Sequence, residues 1–251
     1  MDYTAALAEQ NGLLGELLRD ADPATAVPTC PGWTLQKLLT HVGRGDRWAA
    51  TIVRERAEHP VDIRTIADGK PPEDRDDAVT WLSASVPLLV EAVAATGADT
   101  PVWTFTGPKP AAWWIRRRLQ ESVVHRADAA IALGVPYEVD PAVAADGVSE
   151  WLDLLAARPA DADASLLSDG ATLHLHATDE GLGEHGEWLL RLGDDGRLVW
   201  EHGHGKGTAA VRGRAADILL SALRRIPADD ERLQLIGDGN VWRAWVQRSP
   251  F

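Results

Sequence analysis

The sequence predicts a chain of two parts, α plus α+β: a four-helix bundle followed by a small α+β domain. Three observations carry that expectation. Four segments before residue 134 repeat their apolar residues at helical spacing. From Thr172 onward the repeat shortens to two, as in Thr172-Leu-His-Leu-His-Ala-Thr178. Between these halves, about residues 140–168 hold one more helical segment and an Asp-rich polar stretch, which sets the domains at 1–140 and 141–251.

Leu7, Leu14, Leu17 and Leu18 mark a first helix over 4–19. Asp22-Pro23 and Val27-Pro28-Thr29-Cys30-Pro31-Gly32 end it, because Pro and Gly interrupt helices. Thr34 is the expected N-cap of a second helix running to about Ala57, whose Leu35, Leu38, Leu39 and Val42 form an apolar stripe. A loop rich in Pro, Asp and Gly covers 59–73. A third helix is expected over 74–96, kinked at Pro87 and closed by Gly97. The fourth runs from about Ala111 to Leu133 and stops at Gly134, with Pro136 beyond. Four helices of this length suggest a bundle.

A helix from Pro141 to Ala157 opens the second half. Strands are expected at 172–178, 187–192 and 198–202, with Asp195-Gly196 as the hairpin turn. Thr208 to Val211 reads as a fourth strand. Helices at 215–225 and 240–247 complete an α+β half.

Composition narrows the function. The chain has 251 residues, 45% of them hydrophobic, enough to build a core. A net charge of −13 repels phosphate backbones and anionic lipid, so nucleic acid and membrane are poor partners. No apolar run approaches the roughly 20 residues of a spanning helix, and the N-terminus lacks the order of a secretory signal. The expectation is a cytoplasmic monomer or homodimer that binds small molecules. The single cysteine, Cys30, excludes an internal disulfide and a four-thiolate metal site, and it has no obvious base nearby, so a packing role is preferred for it. Eleven Trp against two Phe and two Tyr give large amphipathic packing units that could also line a pocket.

Glu121 and His125 sit at i, i+4 on the fourth helix and point the same way, with Asp128 three residues further on that face. Such a pair offers a metal one carboxylate oxygen and one imidazole nitrogen, and Asp128 could orient the imidazole from behind. The same spacing is met equally by a surface Glu–His pair. His41, at the edge of the second helix's stripe, is the natural third ligand, completing a three-ligand set with an open position. A lone hydrogen-bonded histidine is the plainer alternative for it. His174, His176, His202 and His204 pair by twos on strand faces, which suits a second metal site or simply a polar sheet face. Arg117 and Arg118 project near Glu121 and could hold an anionic substrate, or pair ions on an acidic surface. No Walker loop, dinucleotide fingerprint or nucleophile elbow is present.

Val27-Pro-Thr-Cys-Pro-Gly-Trp-Thr34, Leu38-Leu-Thr-His41-Val-Gly, Trp113-Trp114, Arg117-Arg118 and Glu121-Ser-Val-Val-His125-Arg-Ala-Asp128 together resemble the mycothiol-dependent maleylpyruvate isomerase family of actinobacteria. Leu173-His-Leu-His-Ala-Thr-Asp179, Glu187-Trp188 and Val211-Arg-Gly213 resemble its C-terminal domain. The resemblance implies a DinB-like four-helix bundle and a sterol-carrier-like second domain. It implies His41, Glu121 and His125 as ligands of zinc or another divalent metal. It places Asp128 and Arg118 in catalytic positions, and Arg117, Arg118 and Trp114 against the cofactor. The cofactor implied is mycothiol, held as its thiolate. The reaction implied is thiol addition or transfer to a small electrophile, or thiolate addition to an activated double bond, rotation and elimination. An arginine from the second domain is also implied; Arg212, Arg224, Arg225 and Arg243 are the candidates. Two rival readings stay open: a zinc hydrolase at the same site, and a non-enzymatic carrier or sensor with Trp188, Trp200, Trp242 and Trp245 around an apolar ligand.

Overall fold

A computed structural model describes residues 1–159, 166–168 and 170–249. The chain divides into two compact units, Met1–Tyr137 and Glu138–Phe251. The Asp-rich end of the expected boundary segment, 160–165, lies outside the described residues.

The first unit is the helical bundle. Helix α1 spans Tyr3–Arg19 and is capped by the Asp2 carboxylate, which accepts from the N–H groups of Thr4 and Ala5. Helix α2 spans Leu35–Arg54 with Thr34 as its N-cap, as the sequence predicts. The third helix is broken in two, α3 at Arg75–Ser83 and α4 at Ser85–Thr96. The break falls upstream of Pro87 for a physical reason. Proline has no N–H, and its ring collides with the carbonyl four residues earlier, here that of Ser83. The Arg75–Thr96 stretch, 22 residues taken together, is apolar and long enough by composition to cross a membrane, but it is divided into helices of 9 and 12 residues. In the fold half of its apolar window is buried, with α3 packed on α1 and α4 on α2. Two-residue strands β1 (Pro101–Val102) and β2 (Lys109–Pro110) pair antiparallel before the last long helix. Helix α5 spans Trp113–Leu133 and ends on Gly134 at φ 66, a left-handed position that costs glycine nothing. Leu14, Leu18, Leu35, Leu38, Leu39, Val42 and Leu82 close the core, each fully buried.

The second unit opens with α6 (Pro141–Ala156), whose first proline sits behind the Asp140 cap. Five strands follow: β3 (Leu173–Ala177), β4 (Glu187–Leu192), β5 (Leu198–His202), β6 (Ala209–Gly213) and β7 (Gln234–Gly237). Their order is β5-β4-β3-β6-β7, with β3 and β6 parallel and the other neighbours antiparallel. Helices α7 (Ala215–Ala222) and α8 (Gly239–Arg248) complete the unit. Period two divides the sheet. Leu173, Leu175, Trp188, Leu190 and Val211 are buried on one face, where Trp188 Nε1 donates to Ser149 Oγ of α6 at 2.9 Å. His174, His176 and Glu187 share the other face. Of the tryptophans that the carrier reading placed around an apolar ligand, Trp188, Trp242 and Trp245 are fully buried core residues, the last two stacked at 5.2 Å, and Trp200 on β5 is half-buried. Of the four candidate arginines, Arg212 is exposed on β6, Arg224 donates to the Ser249 carbonyl, Arg225 to that of Leu223, and Arg243 to Asn240 Oδ1.

Candidate metal centre

α2 and α5 pack against each other in the bundle, and their facing turns bring three sequence-predicted ligands together. His41 Nε2 lies 3.1 Å from Glu121 Oε2, and His125 Nε2 lies 3.5 Å from the same oxygen. The three ligand atoms lie within 4.8 Å of one another. The two imidazoles meet edge to face, ring centroids 4.8 Å apart. This is the donor set of a two-nitrogen, one-oxygen site, and its chemistry suits zinc and other first-row divalent ions.

Asp128 stands where the sequence expected it. Its Oδ2 accepts from Nδ1 of His125 at 2.9 Å, which leaves Nε2 turned toward Glu121 and His41. Asp128 has no exposed surface and is itself held: Thr29 Oγ1 donates to its Oδ1 at 2.5 Å, and the Cys30 thiol lies 3.4 Å from its Oδ2. Cys30 therefore braces the carboxylate behind His125, a more specific role than the packing role read from the sequence.

The arginines of α5 turn inward. Arg117 pairs with Glu121 at i, i+4. Arg118 donates through Nε to Asp46 Oδ1 at 2.7 Å and through Nη2 to the Val42 carbonyl at 3.1 Å, while its Nη1 reaches Glu121 Oε2 at 3.5 Å. Asp46 is fully buried and also accepts from Asn11 Nδ2 at 2.8 Å and Ser85 Oγ at 2.7 Å. Gly45 makes room for this: a Cβ there would fall 2.6 Å from the Arg118 guanidinium carbon. Both arginines are thus bound to carboxylates of the bundle, and what they hold is Glu121. Trp114, expected against the cofactor, is buried instead. Its Nε1 donates to the Trp103 carbonyl at 3.1 Å, and it packs edge to face on Trp48 at 5.1 Å and Trp113 at 5.0 Å.

These contacts separate the protonation states. Burial lowers the His41 pKa more than its hydrogen bond to Glu121 raises it, which favours the neutral, ligating imidazole. Burial pushes the Glu121 carboxyl up, but the Arg117 charge, the hydrogen bonds from His125 and His41, and the Arg118 charge outweigh it and hold it ionised. Burial also opposes charge on His125, yet its hydrogen bonds to Asp128, Cys30 and Glu121 raise it to about 10. A metal taken up here must displace that proton.

Sequence reasoning missed Trp33. Its indole stacks on His125 at 5.7 Å with 21° between the planes, and meets His41 at 4.9 Å. With Gln36, Lys37, Thr40, Arg44 and Ile63 it lines a cleft of about 370 Å³ that reaches His41. The turn before α2 sets Trp33 there: Val27 N–H donates to the Trp33 carbonyl and Leu35 N–H to that of Thr25, folding the Pro-Gly segment back. Lys37 and Arg44 bring positive charge to this cleft, a second feature that the spacing of the chain did not disclose.

Fold and site together define a two-domain protein whose helical bundle gathers a histidine–carboxylate cluster beside an aromatic, cationic cleft. Comparison with protein families shows the family to which it belongs. Residues 4–130 match the mycothiol maleylpyruvate isomerase N-terminal domain, and residues 142–244 match the MDMPI C-terminal domain. The chain belongs to the mycothiol maleylpyruvate isomerase family, which is a family of enzymes. Two crystal structures share its fold. One is a histidine-to-alanine variant of the mycothiol-dependent maleylpyruvate isomerase, 16% identical, TM-score 0.61, covering 93% of this chain and 91% of that one. The other is the mycothiol-dependent maleylpyruvate isomerase, 17% identical, TM-score 0.51, with the same coverage. A comparison with curated proteins finds no match.

Proposed function

We propose that this chain is a zinc- and mycothiol-dependent enzyme that acts on a small anionic electrophile, by cis–trans isomerisation of the maleylpyruvate type or by thiol addition or transfer. The observation that carries the proposal is the convergence of His41, Glu121 and His125 within 4.8 Å at the end of a cleft. A zinc ion held by these three would keep a coordinating thiol ionised at neutral pH. The chain then needs no cysteine nucleophile, in keeping with Cys30 being bonded to Asp128.

The residues themselves divide the remaining work. Asp128 fixes the tautomer of His125. Arg117 and Arg118 keep Glu121 ionised and in place, so their part is positioning. Trp33 stacks over His125 and meets the edge of the cleft at His41. Lys37 and Arg44 face the cleft, where they would receive the carboxylates of a small dianion such as maleylpyruvate.

The test is turnover of maleylpyruvate by the zinc-loaded protein with and without mycothiol. Activity that requires the thiol supports the proposal; activity without any thiol supports the hydrolase instead. Arg44→Gln refines it. A hydrogen bond to a charged group is worth about 1.5–3 kcal/mol, so KM is expected to rise about tenfold or more. kcat should change little, because the lost contact is present before and during reaction alike. An unchanged KM would remove Arg44 from the substrate's path.

A further inference from the structure

The sheet face opposite the one that packs on α6 carries a second group of ligand-type side chains that the reaction above does not use. His174 and His176 lie two apart on β3 and so share a face. Glu187 on β4 is the direct cross-strand neighbour of His176. His204 follows β5 in the chain and turns back over the same spot. His174 Nε2 and His204 Nδ1 converge on one oxygen, Glu187 Oε2, at 2.9 and 2.7 Å, and His176 Nδ1 lies 4.0 Å from it. All four ligand atoms fall within 4.8 Å of one another.

We infer that His174, His176, Glu187 and His204 form a second divalent-metal site, separate from the bundle site, that binds zinc or a similar first-row ion. Four arguments support it. First, three imidazole nitrogens and one carboxylate oxygen complete a tetrahedral shell. At zinc–ligand distances near 2.0–2.1 Å, the edges of such a tetrahedron measure about 3.4 Å. The observed separations bracket that length, so small side-chain rotations would seat the ion. Second, the donor types select the metal. Nitrogen with one oxygen and no thiolate suits zinc, nickel, cobalt or copper(II), and not calcium or magnesium. Third, part of the site is built in. His174 is 4% exposed, and its Nε2 is already aimed at Glu187 Oε2, 2.9 Å away. Fourth, the loop that delivers His204 lies close on the sheet. A Cβ at Gly205 would fall 2.9 Å from Leu189 Cδ1, so glycine lets the backbone approach.

Four protein ligands leave no open position, which marks a structural site rather than a catalytic one. The ion would clamp the segment after β5 to β3 and β4. This inference stands on the second unit alone and does not depend on the bundle site binding metal.

The test uses the full chain carrying Glu121→Gln, which isolates the second site. After equilibration with micromolar zinc and removal of free ion, elemental analysis is expected to find one zinc per chain. Adding His176→Ala and His204→Ala is expected to abolish it. The His204 side chain is 77% exposed, so its loss leaves the fold intact, which far-UV circular dichroism would verify. Cobalt(II) gives an independent reading: a visible absorption band of tetrahedral intensity that disappears in the triple variant. No zinc in the Glu121→Gln chain, or zinc and the cobalt band unchanged after both histidines are replaced, would overturn the inference.

Discussion

Asp46→Asn is expected to lower the free energy of unfolding by about 3–5 kcal/mol, the cost of leaving one member of a buried ion pair without its partner. Asp46 has no exposed surface and Arg118 is 5% exposed. The carboxylate accepts from Arg118, Asn11 and Ser85, which ties α2 to α5, α1 and the start of α4. An asparagine keeps the shape but turns an amide N–H₂ toward one of these donors and strands a guanidinium in the core. Urea unfolding at unchanged slope would measure the loss. A change below about 1 kcal/mol would show that the network holds without its charge. The variant should also weaken metal binding, because Arg118 reaches Glu121 at 3.5 Å and would no longer be fixed from behind.

Glu121→Gln is expected to have the largest functional effect. It removes the carboxylate proposed as a ligand of the bundle site at nearly constant volume. Loss of a partner that merely orients a ligand costs about 10–100-fold in metal affinity or activity. That range is the expectation for Asp128→Asn, which would let His125 rotate or change tautomer. Loss of a ligand should exceed it, so zinc affinity at this site and thiol-dependent turnover should both fall by more than about 100-fold. Competition with a chelator of known zinc affinity would measure the first, with the second site blocked by His176→Ala and His204→Ala. Equal effects of the two variants would mean that Glu121 supports the metal without binding it.

Most of the bundle was legible because its signals are local. Thr34, Gly97 and Gly134 cap or end helices where their chemistry requires it, and Leu35 to Val42 show their buried face in their spacing. Pro87 announced a disturbance but not its extent; only the clash with the Ser83 carbonyl makes it a break between two helices. β7 escaped notice because Gln234, Leu235, Ile236 and Gly237 lie at a sheet edge with no buried face to impose alternation.

The clustering of the candidate ligand side chains was legible for the same reason as the helices. Glu121, His125 and Asp128 share a face by spacing alone, and His41 borders an apolar stripe. What spacing withholds is long-range pairing. That Arg118 would spend its charge on Asp46, 72 positions earlier, depends on how α2 and α5 cross. That Trp114 would bury itself among Trp48, Trp103 and Trp113 depends on the loop that closes over α5. Trp33 sits in a Pro-Gly turn, where no periodicity sets direction. Glu187 was read as a strand residue and as part of the resemblance, not as a ligand, and the histidines of the second unit lacked an acidic partner until β4 paired with β3 and supplied it.

The central claim is that three side chains on two helices hold a metal that binds a thiol. Its most direct test is zinc content per chain with a mycothiol titration followed by tryptophan fluorescence, since Trp33 stacks on His125 and contacts His41. Wild type and His41→Ala would be compared, both with the second site removed. The account predicts one zinc and saturable thiol binding in the wild type, and neither in His41→Ala at unchanged helicity. Stoichiometric zinc with undiminished thiol binding in His41→Ala would contradict it.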